Sequence, residues 1–234
     1  MRIIDPTTIR WYKDWDIALP SVTSILRLAP VPQFMQSWQE RIGLQAYNEH
    51  IDKILQRGTV IHKVCENFFL KTNNPIPTDY ELQWFITGFY TFVAKFWANI
   101  SPTFDWYKIE EKIASKDFGY ASTIDFVCKF FGKNTIIDWK TSSSSSLSGE
   151  MANNYGMQVV AYAMLWNYLY PKNQIDQCMV VVLTNKKKDG LGETMLVHRD
   201  EFKYYFDQFI PYLLFMNSVY NDRLLSLSFL SKLW

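Results

Sequence analysis

Cysteine, histidine and glycine are scarce in this chain, whose 234 residues hold three, three and nine of them. Cys65, Cys128 and Cys178 stand far apart with no Cys-x-x-Cys pair, which argues against a zinc knuckle or a disulfide framework and suits a reducing compartment. An excess of charge of one sign is absent as well. The 24 basic and 23 acidic residues leave a net charge of +1, so no global field advertises a polyanion, and any basic surface must be local. No stretch approaches the roughly 18 apolar residues that span a bilayer. The start, "MRIIDPTTIRWYKDWD", lacks the apolar core of a signal peptide. These absences predict a soluble intracellular protein without a membrane partner, in the cytoplasm or in an organelle matrix or stroma.

What is abundant is apolar and aromatic: 48% of residues are hydrophobic and 17% aromatic, enough for a substantial core in one domain. No repeat of fixed period and no long linker interrupts residues 1–234. Residues 1–100 read as mainly helical. "PSVTSIL" opens on turn chemistry and passes into an apolar run. A helix is predicted from Gln33 to about Gln56, a second after Gly58 to about Lys71, and a third from about Asp79 to Asn99. Residues 101–234 change period. "WYKIEEKIAS", "GYASTIDFVCKFF" and "NTIIDWKTS" are β-prone runs with turn residues between them, which predicts an antiparallel meander. Helical spacing returns from Met151 to about Tyr170. "QCMVVVLTN" reads as a central strand buried on both faces. "ETMLVHR" reads as a further strand, and Asp200 to about Tyr220 as a last helix, interrupted or restarted near Pro211. The expected class is α/β, a mixed sheet flanked by helices.

The chemistry gathers at "NTIIDWKTSSSSS". In a strand, residues i and i+2 share a face, so Asp138 and Lys140 point together and Trp139 points away, its carbonyl beside the same pocket. If the turn at "FGKN" pairs the preceding strand with this one, Asp125 approaches Asp138. Two carboxylates held together repel unless a divalent cation lies between them. A lysine beside that cation can stabilise charge on a phosphate or help activate water. The D-x-K spacing alone carries little information. Glu110 and Lys112 repeat it, but no acidic strand residue precedes them, so they are set aside as the metal-binding core. Glu111 faces away from that pair, and one of the two glutamates is expected at the metal or just behind it.

Four motifs in order, "RGTVIHKVCENFF", "GYASTIDFVCKFF", "IIDWKTS" and "MQVVAYAM", resemble the PD-(D/E)XK nucleases, in particular their RecB-like branch. "LPSVTSIL" is similar to the start of the mitochondrial genome maintenance exonuclease group and of some phage relatives. The resemblance implies a PD-(D/E)XK, restriction-endonuclease-like core. It implies His62, Asp125, Asp138 and the main-chain carbonyl of Trp139 as ligands of Mg²⁺, with Mn²⁺ as a substitute, and Lys140 as the catalytic lysine. Gln158 and Tyr162, four apart on one helical face, would support the lysine or meet DNA near the scissile phosphate. Glu66, one turn after His62, would orient its ring. "ASTID" carries Ser122 where members often have glycine, so the strand approach is expected to differ slightly. Three scattered cysteines give no iron–sulfur cluster.

Each motif also has an ordinary reading. His62 can be a core histidine bonded to Glu66, and Gln158 and Tyr162 a polar edge on a core helix. "NKKKDG", with Lys186 and Lys187, is either a solvated hairpin tip or a track for phosphates. "RWYKDW", Arg10 to Trp15, is either a base-stacking platform or core and rim. Ser142 and the serines after it either donate to phosphate or form a flexible loop that orders with DNA. Together with Arg57, residues Ser142, Lys186 and Lys187 are the candidate DNA contacts. The expected function is a metal-dependent deoxyribonuclease, an exonuclease on single-stranded DNA ends in replication, repair or genome maintenance, acting as a monomer. The alternatives are a double-strand end-resecting or structure-specific endonuclease on the same site, and a non-catalytic nucleic-acid-binding subunit.

Overall fold

A computed structural model describes residues 1–13, 17–100, 107–147 and 149–221. Among these, strands β1 (Trp11–Tyr12) and β2 (Leu19–Pro20) form a small antiparallel ribbon ahead of helix α1 (Val22–Leu26). Helices α2 (Gln33–Ile42), α3 (Leu44–Phe69) and α4 (Tyr80–Phe96) follow. The meander is β3 (Lys108–Ser115), β4 (Tyr120–Phe130) and β5 (Lys133–Ser142). Helix α5 (Gly149–Leu169) crosses to β6 (Gln177–Thr184), and β7 (Leu191–His198) and α6 (Phe202–Tyr220) complete the described chain.

The five strands lie in the order β3-β4-β5-β6-β7. Only β5 and β6 run parallel, as a crossover through a helix requires; the other neighbours are antiparallel. Every residue of β6 is buried, as its unbroken apolar run predicts, but the middle position belongs to β5. On one face, Val127, Ile136 and Val180 pack against α1, α5 and α6. On the other, Phe126, Ile137, Trp139, Val181 and Leu183 meet the second half of α3 and α4. The Trp139 ring stands edge-on to Phe89 and Phe92, each at 5.3 Å between centroids. This alternation along β5 commits its even residues, Ile136, Asp138 and Lys140, to the α5 side.

Three boundaries differ from the sequence expectation, each for a local reason. Gly58 does not separate two helices: α3 runs through it for 26 residues. A mid-helix glycine costs only about 1 kcal/mol, which the packing of Ile61, Val64, Cys65 and Phe69 outweighs. The break falls at Gly43 instead, whose φ of 83° is open to glycine. Pro211 sits inside a continuous α6, carried by Phe206, Phe209, Leu213 and Met216 in the core. The serine tract is a loop, as expected, and hydrogen bonds tie it down over 142–147. Ser144 N–H donates to Ser142 Oγ, Leu147 N–H to Glu193 Oε2, and Glu193 N–H to the Ser145 carbonyl.

The β6–β7 hairpin is locked to α4. The backbones of Gly88 and Gly190 touch, and the Thr91 hydroxyl donates to the Asp189 carbonyl at 2.9 Å. A Cβ at Gly88 would collide with the Gly190 carbonyl, a backbone group that cannot swing aside. Gly88→Ala is therefore expected to lose about 1–3 kcal/mol of stability in urea unfolding, and an unchanged midpoint would show that the two backbones part easily.

Candidate metal centre

The site grows out of two interruptions in the sheet. The β3–β4 register pairs Ile109 with Phe126 and Glu111 with Ile124, which sets Glu110 opposite Asp125, yet those two do not bridge. Glu110 has a φ of 50°, in the left-handed region. The β4–β5 ladder stops at Phe126 and Ile137, one step short of Asp125 and Asp138. Both ladders thus open at Asp125. Its Oδ2 takes the backbone N–H of Trp139 at 2.9 Å, a bond that ties the acid to the next strand where ladder pairing has ended.

Into this gap α3 brings His62, whose Nδ1 lies 3.3 Å from Asp125 Oδ1. His62, Glu110 and Asp125 each present a ligand atom within 4.8 Å of the other two. On the β5 side, Asp138 is only 2% exposed at its side chain. Its Oδ2 is 2.6 Å from Lys140 Nζ, and its Oδ1 accepts from Gln158 Nε2 at 3.1 Å. Gln158 also donates to the Tyr162 hydroxyl at 2.6 Å, and that hydroxyl bonds Ser122. Ser122 is thus absorbed into the network that fixes Asp138. The Lys140 ammonium lies 5.3 Å from the ring centroid of Tyr155, one helical turn before Gln158.

His62, Glu110, Asp125, Asp138, Lys140, Gln158 and Tyr162 all line one open cavity of about 470 Å³. Other candidates fall differently. Glu66 lines the cavity but pairs with Lys63 at 2.7 Å; the partner of the His62 ring is Asp125. Glu111 turns away and bonds Tyr170, so of the two glutamates it is Glu110 that enters the cavity. A positive φ, which no sequence signal announces, gives Glu110 that position. Arg57 stacks over Phe85 at 4.5 Å and does not line the cavity. Ser142 ends β5 beside Thr184 of β6, so the hairpin carrying Lys186 and Lys187 leaves from the same end of the sheet. Asp14 and Trp15 of "RWYKDW" lie outside the described residues.

The electrostatics are those of crowded carboxylates held against His62 and Lys140. Burial works against the His62 cation, but the charge and hydrogen bond of Asp125 overcome it and push the imidazole up to about 9. Burial and then the Asp125 charge push Glu110 up to about 7. Burial also raises Asp138, against the pull of Lys140. Asp125 goes the other way: burial is outweighed by His62, and the carboxyl is held below its usual range. Lys140 is held above its ordinary value because Asp138 and further neighbours outweigh burial. Asp138 Oδ2 is buried with no well-aligned hydrogen bond, its contact being the Lys140 ion pair. One imidazole and two carboxylates within 4.8 Å of one another, with the buried Asp138 oxygen on the neighbouring strand outside that group, fit a divalent cation.

A testable pH dependence follows. Glu110 and His62 hold protons more tightly when folded, relative to ordinary values of 4.5 and 6.5. Their stabilising contribution is therefore complete at low pH and is lost between 4.5 and about 7 for Glu110, and between 6.5 and about 9 for His62. A cation must displace those protons to bind. Melting of the chelator-treated protein should shift to lower temperature across this range, while the gain from millimolar Mn²⁺ grows. An equal Mn²⁺ gain at both ends of the range would remove these two side chains from the ligand set.

No protein-family model matches the chain. It is 25% identical over 176 residues to mitochondrial genome maintenance exonuclease 1 of Mus musculus, covering 72% of this chain and 50% of that protein. To the Homo sapiens protein of the same name it is 23% identical over 175 residues, covering 72% and 49%. The chain spans about half the length of these relatives. A solved structure from Eubacterium rectale, provisionally described as an exonuclease, shares 13% identity at a TM-score of 0.46, over 71% of this chain and 68% of its own. A phage related exonuclease from Haemophilus somnus shares 12% at a TM-score of 0.32, over 67% and 78%. In sequence the chain is similar to proteins named as exonucleases, and in its mixed sheet and the order of its acidic residues and lysine it resembles a PD-(D/E)XK-like nuclease.

Proposed function

We propose that this chain is a metal-dependent nuclease of the PD-(D/E)XK type that hydrolyses phosphodiester bonds in DNA. The observation that carries this reading is the convergence of His62, Asp125, Asp138 and Lys140 on one cavity at the point where two ladders open. His62, Glu110, Asp125 and Asp138 would hold Mg²⁺, with the Trp139 carbonyl as the main-chain ligand. A divalent ion bound there supplies Lewis acidity toward the phosphate and a water that ionises near neutral pH.

The protein's own groups do the rest. Lys140 remains an ammonium and sets a fixed positive charge where charge develops on the phosphoryl oxygens. Asp138 aims that ammonium through their 2.6 Å contact, and Gln158 and Tyr162 hold the carboxylate in turn. Tyr155 covers the ammonium with its ring, which limits the positions the lysine samples. Arg57, Ser142, Lys186 and Lys187 are proposed to meet backbone phosphates away from the cut, at the end of the sheet where β5 and β6 finish. Exonuclease action on single-stranded ends is the preferred form, with a double-strand end-resecting or structure-specific endonuclease on the same site as the alternative. A role in replication, repair or genome maintenance, by one monomeric domain, is consistent with that activity.

The experiment is degradation of 5′- and 3′-labelled single-stranded and duplex DNA with Mg²⁺, Mn²⁺ or chelator. Wild type should cut only with metal, and Lys140→Ala should lose about 10²- to 10³-fold in rate. Absence of any cleavage by wild type overturns the reading. In the same assay Tyr155→Leu should slow cleavage about 2- to 30-fold while Tyr155→Phe keeps the wild-type rate, because the ring face and not the hydroxyl meets the ammonium. Equal rates for Leu and Phe would deny the ring that role.

A further inference from the structure

We propose that Arg10 binds the backbone phosphate next to the one that is cleaved. The inference rests on the nuclease reading above. Tyr12 is buried, and its hydroxyl lies 2.8 Å from the hydroxyl of Thr123, two residues before Asp125. Trp11 packs against the core. Tyr12 is not free to stack on a base and Trp11 is half-buried against the core, so what this segment offers the cavity is the cation that precedes them.

The backbone that carries this exposed cation is held in place, and its guanidinium lies over a ring. The Arg10 backbone N–H donates to Ser24 Oγ at 2.9 Å, and its carbonyl accepts from Ser21 N–H at 2.9 Å. Its guanidinium carbon sits 4.9 Å from the centroid of the Tyr12 ring. The tie from Arg10 through Tyr12 to Thr123 links the guanidinium to the strand that carries Asp125. A guanidinium resting on a ring gives up less rotamer freedom on binding than one free in solvent.

The charges on the cavity wall show what it is free to do. Of the cations lining the cavity, Lys63 is paired with Glu66 and Lys140 with Asp138. Among the described residues no carboxylate lies within ion-pair distance of Arg10, although its field reaches Glu110. A cavity rich in carboxylates repels a polyanion unless cations meet each phosphate that enters. The metal ligands serve the reacting phosphate. Arg10, with a planar fork that matches two non-bridging oxygens, serves its neighbour.

The test is the salt dependence of binding to a fluorescent single-stranded oligonucleotide, with Ca²⁺ in place of Mg²⁺ and the strand checked for integrity on a gel. Arg10→Ala should reduce the slope of log K against log salt by about 0.7, the loss of one single-strand phosphate contact. Arg10→Met keeps the methylene stem over Tyr12 and should show the same loss, which separates charge from folding. Arg10→Lys should keep the slope while binding more weakly. Lys133→Ala, at the far end of β5, should leave it unchanged. A wild-type slope in both Arg10→Ala and Arg10→Met overturns the inference while leaving cleavage intact. If wild type binds no strand at all, the nuclease reading fails first and takes this inference with it.

Discussion

Everything at the candidate site depends on how one half-buried carboxylate, Asp125, is neutralised. It stands opposite Glu110 on one strand and Asp138 on the other, an arrangement in which like charges across neighbouring strands destabilise a sheet. The protein answers with His62 at 3.3 Å, the Trp139 N–H at 2.9 Å and ladder pairs that are left unformed. The result is a sheet that is regular away from Asp125 and open beside it. A divalent cation in that gap would do electrostatically what the shared His62 proton does without it.

The second layer of the site is a stack of neutral polar contacts on α5. Gln158 and Tyr162 are buried among apolar residues of a helix whose middle is almost wholly core. Buried amides and hydroxyls are costly unless bonded, and here they bond Asp138, Ser122 and each other. Their positions are therefore dictated by the strand residue they serve. That is why the Asp138 side chain is nearly sealed while the side chain of His62, across the gap, remains 29% exposed. One side chain is held by the fold on every side, and the other faces the cavity.

Much of this was legible in the residues. The alternation along β5 assigned Asp138 and Lys140 to one face and Trp139 to the other because a strand has period two, whatever surrounds it. The unbroken apolar run of β6 announced a strand with no solvent face. The short turn before Asn134 announced the hairpin that brings Asp125 toward Asp138. Less legible were features set by competition between distant groups. Gly58 looked like a boundary because glycine is a poor helix former, yet four buried residues beyond it hold the helix together. Pro211 looked like a break and is carried through by core contacts on both sides.

By itself, the sequence determined the order of elements from α4 onward and the pairing of Asp138 with Lys140 on one strand face. Those follow from local periodicity and from the chemistry of each residue. Only the tertiary structure decided that Glu110 and not Glu111 enters the cavity, that Glu66 pairs with Lys63 and leaves the His62 ring to Asp125, and that Tyr12 is buried while Arg10 lines the wall. The entry of Glu110 turns on a backbone angle, and the His62–Asp125 and Tyr12–Thr123 contacts on partners far away in the chain; neither is encoded in the spacing of neighbouring residues.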